Sequence, residues 1–366
     1  MEVTNSLQTR QGLTWIPEEV TNSPQTSQDF IWIPEEVQYH INLWLVIIVR
    51  SVLSLFGVIS NVVNLRIFYT LGMKERVNFT LFILSAIDFG YCLFTLATSV
   101  DFTFIFYNID ETVTQHTVLE VLYIIRACFI DCSSLLVAFI SIERCFCVTL
   151  PFTFSIHFNA RKTKTTIATI IIFILMNYFP FLISVKMKEV TDLKTNKTIF
   201  TYEITEFFLI MANLNNYLLG ILLAVFCQVS VFVCAVLMHR GLQKSSLVRK
   251  SVGHVKSSRP DNTDSEKSTT GNLGLMSGKE RRIIKMVIIL ACLYVPTSLP
   301  QIALAFALLL YPDLMVGPLV NVYTISSGLM TLCCTANGSL TIFIYYKYNT
   351  NFRKTLLQKI FKLHVL

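Results

Sequence analysis

Long apolar runs alternate along the chain with short polar stretches, most of them rich in basic or acidic residues. Seven apolar runs are long enough to cross about 30 Å of hydrocarbon as helices. Their approximate limits, from span one to span seven, are 43–70, 78–100, 117–146, 165–185, 206–238, 283–310 and 318–346. None of the runs has the alternating pattern of a membrane barrel strand. The pattern therefore predicts an all-α membrane protein built as a seven-transmembrane helix bundle over residues 43–346.

Residues 1–42 form a polar, acidic tail before the first span. They contain a tandem repeat of 17 residues, in which Trp15-Ile16-Pro17-Glu18-Glu19-Val20 returns as Trp32-Ile33-Pro34-Glu35-Glu36-Val37. Two copies are too few for a solenoid, so we interpret the repeat as a duplication within an extracellular tail. An acidic and aromatic arm that captures a ligand is the alternative. No basic stretch followed by an apolar core precedes it, and we expect no cleaved signal peptide.

Two further segments lie outside the spans. Residues 241–278 are rich in Ser, Thr, Asn, Gly and Lys, which predicts a disordered third cytosolic loop. Residues 347–366 carry apolar positions on one helical face with basic residues beside them. This second pattern predicts a short amphipathic helix and tail in contact with the lipids of the inner leaflet.

The distribution of charge gives an orientation. Basic residues gather between spans one and two, three and four, and five and six, and again after span seven. The opposite side is acidic except for the loop from Lys186 to Glu206, which carries both signs. The positive-inside rule then places the N-terminus outside the cell and the C-terminus in the cytosol, in a multi-pass plasma membrane protein. The net charge of +7 is explained by these anchors, and with 53% hydrophobic against 14% charged residues we expect no nucleic-acid binding.

Span three ends in an acid and an arginine, Glu143-Arg144, and Pro151 follows the arginine by seven residues. This ending resembles the Asp-Arg-Tyr signature of rhodopsin-like (class A) G protein-coupled receptors, including the spacing to the proline. An ordinary membrane helix with a Glu-Arg pair at its boundary is the alternative.

Spans six and seven carry weaker forms of the same family's motifs. Cys292-Leu293-Tyr294-Val295-Pro296 resembles the Cys-Trp-x-Pro switch, with Tyr294 in the place of the tryptophan. Asn337 and Tyr345 match the ends of the Asn-Ser-x-x-Asn-Pro-x-x-Tyr pattern, although its Asn-Pro pair is absent. Leu119 occupies the place of the disulfide cysteine of span three. The chain therefore resembles a divergent receptor of the invertebrate chemosensory and neuropeptide type.

The resemblance implies a function without catalysis. Such a receptor binds an extracellular ligand, a peptide or a small molecule, and activates a heterotrimeric G protein. Glu143, Arg144 and Tyr345 would form the G protein switch, and Tyr294 and Pro296 the switch of span six. The alternatives are a seven-helix channel or transporter, and a receptor-like decoy that does not signal.

Asp88, Ser133 and Asn337 resemble the buried sodium site of the family. Oxygen ligands suit a hard cation, so the residue types agree with that chemistry. Hydrogen bonding between helices without an ion is the alternative. No other cofactor is expected.

Arg126 lies on the same face of span three as Arg144, where amine receptors of the family place the aspartate that binds their ligand. A guanidinium there favours a carboxylate or phosphate instead, so we expect a ligand with an acidic group. The other residues expected around this ligand are Tyr123, Tyr294, Thr297, Ser298 and Gln301. The alternative is an internal salt bridge, for example to Asp101.

One sequon lies in a predicted extracellular loop. It is Asn196-Lys197-Thr198, between spans four and five, and we predict a glycan on Asn196.

Overall fold

The computed structural model describes residues 33–106, 114–150, 154, 158–184, 186–191, 198–203, 205–257, 278–311, 314 and 319–363. Within these ranges, seven helices are long and apolar enough to cross a membrane, which confirms the predicted seven-helix bundle. The first copy of the N-terminal repeat, residues 258–277 of the third loop and Asn196 lie outside the described residues.

The seven spans follow the chain in the predicted order. Span one comprises α1 (Glu35–Ile41), a π-helical segment (Asn42–Val49) and α2 (Arg50–Leu71). Spans two, three and four are α3 (Arg76–Phe106), α4 (Thr114–Thr149) and α5 (Ala160–Ile183). Span five comprises α6 (Glu206–Asn215), a π-helical segment (Asn216–Leu223) and α7 (Ala224–Ser257). Spans six and seven are α8 (Gly278–Leu310) and α9 (Val320–Tyr348), and the short helix α10 (Thr350–Leu363) follows.

Span five differs from the prediction at its end. The helix continues to Ser257, so residues 241–257 are helical and the predicted disordered loop 241–278 began too early. Leu242 is buried there in the hydrophobic core, which gives this part of the helix an apolar contact despite its polar composition. The loop was predicted from composition, and composition does not show that a residue such as Leu242 packs in the core.

An antiparallel hairpin connects spans four and five. Strand β1 (Lys186–Thr191) pairs with β2 (Thr198–Glu203), in a register that places Lys186 opposite Glu203 and Thr191 opposite Thr198. The pattern of apolar runs does not predict this hairpin, because strands of six residues are too short to cross a membrane. The bundle itself remains all-helical.

Local signals explain several helix ends. The side chain of Asn159 accepts a hydrogen bond from the backbone N–H of Lys162 and caps the start of α5, and Thr205 caps α6 in the same way. Gly72 has a φ of 93° after the end of α2, a conformation that L side chains rarely adopt.

Spans one, two and seven pack closely around Gly57. A Cβ atom at this glycine would lie 2.4 Å from the Ser339 hydroxyl and 2.5 Å from the Cys92 sulfur. The absence of a side chain therefore allows the three helices to approach one another at this level. Asn61, one turn along, donates to the Gly338 carbonyl at 3.0 Å and joins span one to span seven directly.

Candidate functional site

The Glu143-Arg144 pair is buried at the end of span three. Glu143 is 1% exposed, and its carboxylate lies 3.2 Å from a guanidinium nitrogen of Arg144. Arg76 of span two lies 3.8 Å from the same carboxylate oxygen. One carboxylate therefore faces two arginines, and Arg144 is itself buried rather than presented to solvent.

A small cavity lies beside this pair, between spans two, three and six. It is lined by Val77, Thr80, Leu81, Ile140, Glu143, Arg144, Met286 and Val287. The walls are mostly apolar, so the two charged groups face an apolar space. We refer to this end of the bundle as the Arg144 end.

Tyr345 belongs to a separate cluster. Its ring is fully buried, with its centroid 5.1 Å from that of Phe68 and 5.8 Å from that of Phe352. These contacts join span seven to span one and to α10. Among the described residues, no hydrogen bond connects Tyr345 with Glu143 or Arg144. Of the three predicted switch residues, Glu143 and Arg144 are therefore in contact with each other, and Tyr345 lies apart from them.

Hydrogen bonds join spans five and six beside the proline of span six. Ser298 donates to the side-chain oxygen of Gln228 at 2.6 Å, and the amide of Gln228 donates to the Val295 carbonyl at 2.9 Å. Val295 directly precedes Pro296, and Tyr294 beside it is buried. Sequence reasoning missed Gln228, although it is an isolated polar residue in a long apolar run.

Asp88 and Ser133 come together as predicted. The Ser133 hydroxyl donates to the Asp88 carboxylate at 2.7 Å, and both residues are buried. Gly338 rather than Asn337 faces this carboxylate, because a Cβ on Gly338 would lie 3.7 Å from its nearer oxygen. Asn337 is buried, yet no hydrogen bond joins it to Asp88 in the part of the chain that the structure describes.

These residues fit a hard cation in part. The carboxylate of Asp88 and the hydroxyl of Ser133 are oxygen donors in contact, and the Ser85 hydroxyl, one turn from Asp88, is buried without a hydrogen-bond partner. The described residues contain no group of three or more His, Cys, Asp or Glu side chains able to hold a metal ion. The sodium site stays a prediction, with Asp88 and Ser133 as its core.

Arg126 reaches span seven. One of its terminal nitrogens donates to the Thr331 hydroxyl at 2.9 Å, and the guanidinium lies 5.0 Å from the ring centre of Tyr123. Its Nε is buried without a hydrogen-bond partner. The side chain of Asp101, the alternative salt-bridge partner, lies outside the described residues.

A second buried arginine was missed by sequence reasoning. Arg50 of span one is 3% exposed, and its Nε donates to the Ser99 hydroxyl of span two at 2.8 Å. A signal was present, because Arg50 is the sole charged residue between positions 43 and 65.

The predicted ligand residues of span six make other contacts. Thr297 donates to the Leu293 carbonyl at 2.8 Å, and the side-chain oxygen of Gln301 faces the Cys334 sulfur at 3.9 Å. No hydrogen bond links either side chain to Arg126 among the described residues. The assignment of Tyr294, Thr297, Ser298 and Gln301 to a ligand pocket stays a prediction.

The comparisons with known proteins agree with this arrangement. The family model described as 7 transmembrane receptor (rhodopsin family) matches residues 60–341 of the chain. A search of curated proteins found no match. The match covers most of the chain and includes the Glu143-Arg144 pair, Asp88 and spans two to six in full. The chain therefore belongs to the rhodopsin family of seven-transmembrane receptors.

Proposed function

We propose that the protein is a plasma membrane receptor that binds an extracellular ligand and activates a heterotrimeric G protein. The observation that carries this proposal is the buried Glu143-Arg144 pair at the end of span three, in a chain of the rhodopsin family. We place the Arg144 end in the cytosol and the N-terminus outside the cell, because the distribution of basic residues favours this orientation. No catalytic step is proposed.

The proposed switch starts from the state in which Glu143 and Arg144 are in contact. Arg144 contacts Glu143 and faces an apolar cavity that also touches span six through Met286 and Val287. An outward movement of span six would widen this space and let Arg144 leave its carboxylate for the G protein. A ligand drives the change only to the extent that it binds the open state more tightly.

The link from the ligand to this movement passes through span six. Pro296 removes a backbone hydrogen bond from the helix, which permits bending at this level. Gln228 and Ser298 hold the same level of span six against span five. We propose that a ligand near Tyr294 changes this contact and thereby the position of the inner half of span six.

The ligand that we propose is a peptide or small molecule with an acidic group. Arg126 supports this choice because its guanidinium has an N–H without a hydrogen-bond partner, and the contacts that it makes with Thr331 and Tyr123 are with a neutral hydroxyl and an aromatic ring. A sodium ion held by Asp88, Ser133 and Asn337 would supply positive charge in the middle of the bundle. α10, with Arg353 and Lys354 exposed, would contact membrane lipids.

The test is a screen in cells that express the full chain. Calcium and cAMP are measured while free-acid peptides, their amidated forms and small organic acids are applied. We expect acidic compounds to give a response that inhibitors of G protein signalling abolish. An ionic current that persists under those inhibitors would instead show a channel.

A further inference from the structure

Arg76, the first residue of span two, contacts residues of span three and of the segment that follows it. Its terminal nitrogen Nη1 lies 3.8 Å from the Glu143 carboxylate of span three. The same nitrogen donates to the Phe158 carbonyl, between spans three and four. The guanidinium also lies over the Phe154 ring, with its central carbon 4.8 Å from the ring centre. Arg76 therefore joins the acid of span three to the segment between spans three and four.

Aromatic contacts position the described residues of this segment. The backbone N–H of Phe154 donates to the Leu150 carbonyl and that of Phe158 to the Phe154 carbonyl, both at 2.9 Å and with the spacing of a helical turn. The centre of the Phe158 ring lies 5.4 Å from that of Phe154 and 5.7 Å from that of Phe146. The Phe158 carbonyl is thus held beside Arg76 by packing against the end of span three.

The Glu143 carboxylate is shared unequally by its two arginines. Arg144 donates a hydrogen bond of 3.2 Å to Oε1, whereas Arg76 lies 3.8 Å from the same oxygen, where its charge acts on the carboxylate without a hydrogen bond. The other oxygen, Oε2, is buried and accepts no hydrogen bond from the part of the chain that the structure describes. The carboxylate can therefore accept a further hydrogen bond from a guanidinium.

The burial of Glu143 gives Arg76 a role when Arg144 leaves. The Glu143 side chain is 1% exposed, so a carboxylate without a cation there would be costly. The Arg76 side chain is 27% exposed, and its contacts with Phe154 and Phe158 do not involve Arg144. When Arg144 departs in the proposed switch, Arg76 stays as a cation beside the buried carboxylate.

We propose that Arg76 takes over the Glu143 carboxylate when Arg144 turns to the G protein, and thereby stabilises the signalling state. Arg76 is a positioning residue, because it acts through Glu143 and Arg144. The inference rests on the proposed function for the claim that Arg144 leaves Glu143 during signalling. In the state with Glu143 and Arg144 in contact, Arg76 competes with Arg144 for one oxygen, which favours release in the same direction.

The sign of the effect separates this role from that of a lock. If Arg76 held the inactive state, its removal would release Arg144 and strengthen coupling to the G protein. As the second partner of Glu143 it favours the signalling state, so its removal weakens coupling. A ligand-independent measurement of G protein binding therefore distinguishes the two roles, because the population of the binding-competent state sets the apparent affinity.

The first experiment measures the unfolding temperature of the purified full chain in detergent, with no ligand and no G protein. Arg76→Gln should lower this temperature by about 2–4 °C more in the Arg144→Ala background than in the parent, because Glu143 then lacks both cations. In the Glu143→Gln background, Arg76→Gln should have a smaller effect than in the parent. Arg66→Gln is the matched control, since Arg66 is an exposed arginine of span one, and its effect should be the same in every background.

The second experiment measures the binding of a panel of purified, nucleotide-free heterotrimeric G proteins to the receptor in lipid nanodiscs without ligand. Arg76→Gln should weaken the apparent affinity for the tightest binder of the panel by about threefold to tenfold, while Arg66→Gln leaves it unchanged. Arg76→Lys keeps the positive charge but lacks the planar group, so it should restore part of the affinity. Rescue by the charge separates pairing with Glu143 from a role in packing alone.

Two results would overturn the inference. One is an Arg76→Gln effect on the unfolding temperature of equal size in the parent and in the Arg144→Ala background. If Arg144→Ala does not fold, an effect of equal size in the parent and in the Glu143→Gln background has the same meaning. The other is G protein binding that Arg76→Gln strengthens or leaves unchanged. A parent that binds no G protein would count against the proposed function alone, because the unfolding temperatures still test the contact of Arg76 with Glu143.

Discussion

The Tyr178 hydroxyl of span four donates a hydrogen bond of 2.7 Å to the Asp131 carboxylate of span three. Both residues are buried. A buried carboxylate is costly when it lacks partners, so this bond both satisfies Asp131 and fastens the two spans. Span four otherwise contributes few buried side chains to the bundle.

Tyr178→Phe removes this bond while keeping the ring. We expect it to lower the free energy of unfolding by about 1–3 kcal/mol, because the carboxylate loses a buried donor. Thermal unfolding of the purified receptor measures the change. Tyr217→Phe is the control, since Tyr217 is 49% exposed and has the same chemistry. An unfolding temperature of Tyr178→Phe equal to that of the parent would show that the bond has no stabilising role.

Gly57 tests the close packing of spans one, two and seven. Gly57→Ala places a methyl group where the Ser339 hydroxyl and the Cys92 sulfur already lie, and should destabilise the bundle by about 1–3 kcal/mol. Gly278→Ala is the matched change, because a Cβ at Gly278 would meet nothing within 4 Å. Equal unfolding temperatures for the two variants would show that the helices are not in contact at this level.

Asp88→Asn tests the sodium site. Replacing choline chloride by sodium chloride should raise the unfolding temperature of the parent and leave that of Asp88→Asn unchanged, because the amide carries no charge for the cation. The comparison measures binding to the folded state without the need for a signalling ligand. Sodium stabilisation of equal size in both proteins would leave the Asp88 and Ser133 contact as a hydrogen bond between helices.

Asn196→Gln tests the orientation. We expect one glycan on the protein expressed in animal cells, and its removal by this substitution should abolish the mobility shift caused by a glycosidase. Asn78, in another sequon, is buried at the start of span two and serves as the control site. A shift that survives Asn196→Gln would place another part of the chain outside.

Much of the fold could be predicted from sequence because lipid imposes a simple rule. Apolar runs of sufficient length must become helices, so seven runs gave seven helices. The contact between Asp88 and Ser133 was predicted because both residues resemble members of the buried sodium site of the family. Gly338 was not assigned to this site, since the face that a residue presents depends on helix rotation in the packed bundle.

The partners of the buried polar residues could not all be predicted from the sequence. Arg126 was recognised because it lies on the same face of span three as Arg144, whereas no motif or shared face drew attention to Arg50. Its hydrogen bond to Ser99 depends on how spans one and two pack against each other. The hydrogen bond between Gln228 and Ser298 is of the same kind, since it joins polar residues of two different helices.

The central claim is that Arg144 couples this receptor to a G protein, and nucleotide exchange on purified heterotrimeric G proteins tests it most directly. The parent, Arg144→Ala and the control Arg66→Ala are reconstituted at equal amounts in lipid nanodiscs with the most active acidic compound from the cell screen. We predict that the parent and Arg66→Ala accelerate exchange, while Arg144→Ala binds the compound but leaves exchange at its rate without receptor. Exchange by Arg144→Ala at the rate of the parent would contradict the account.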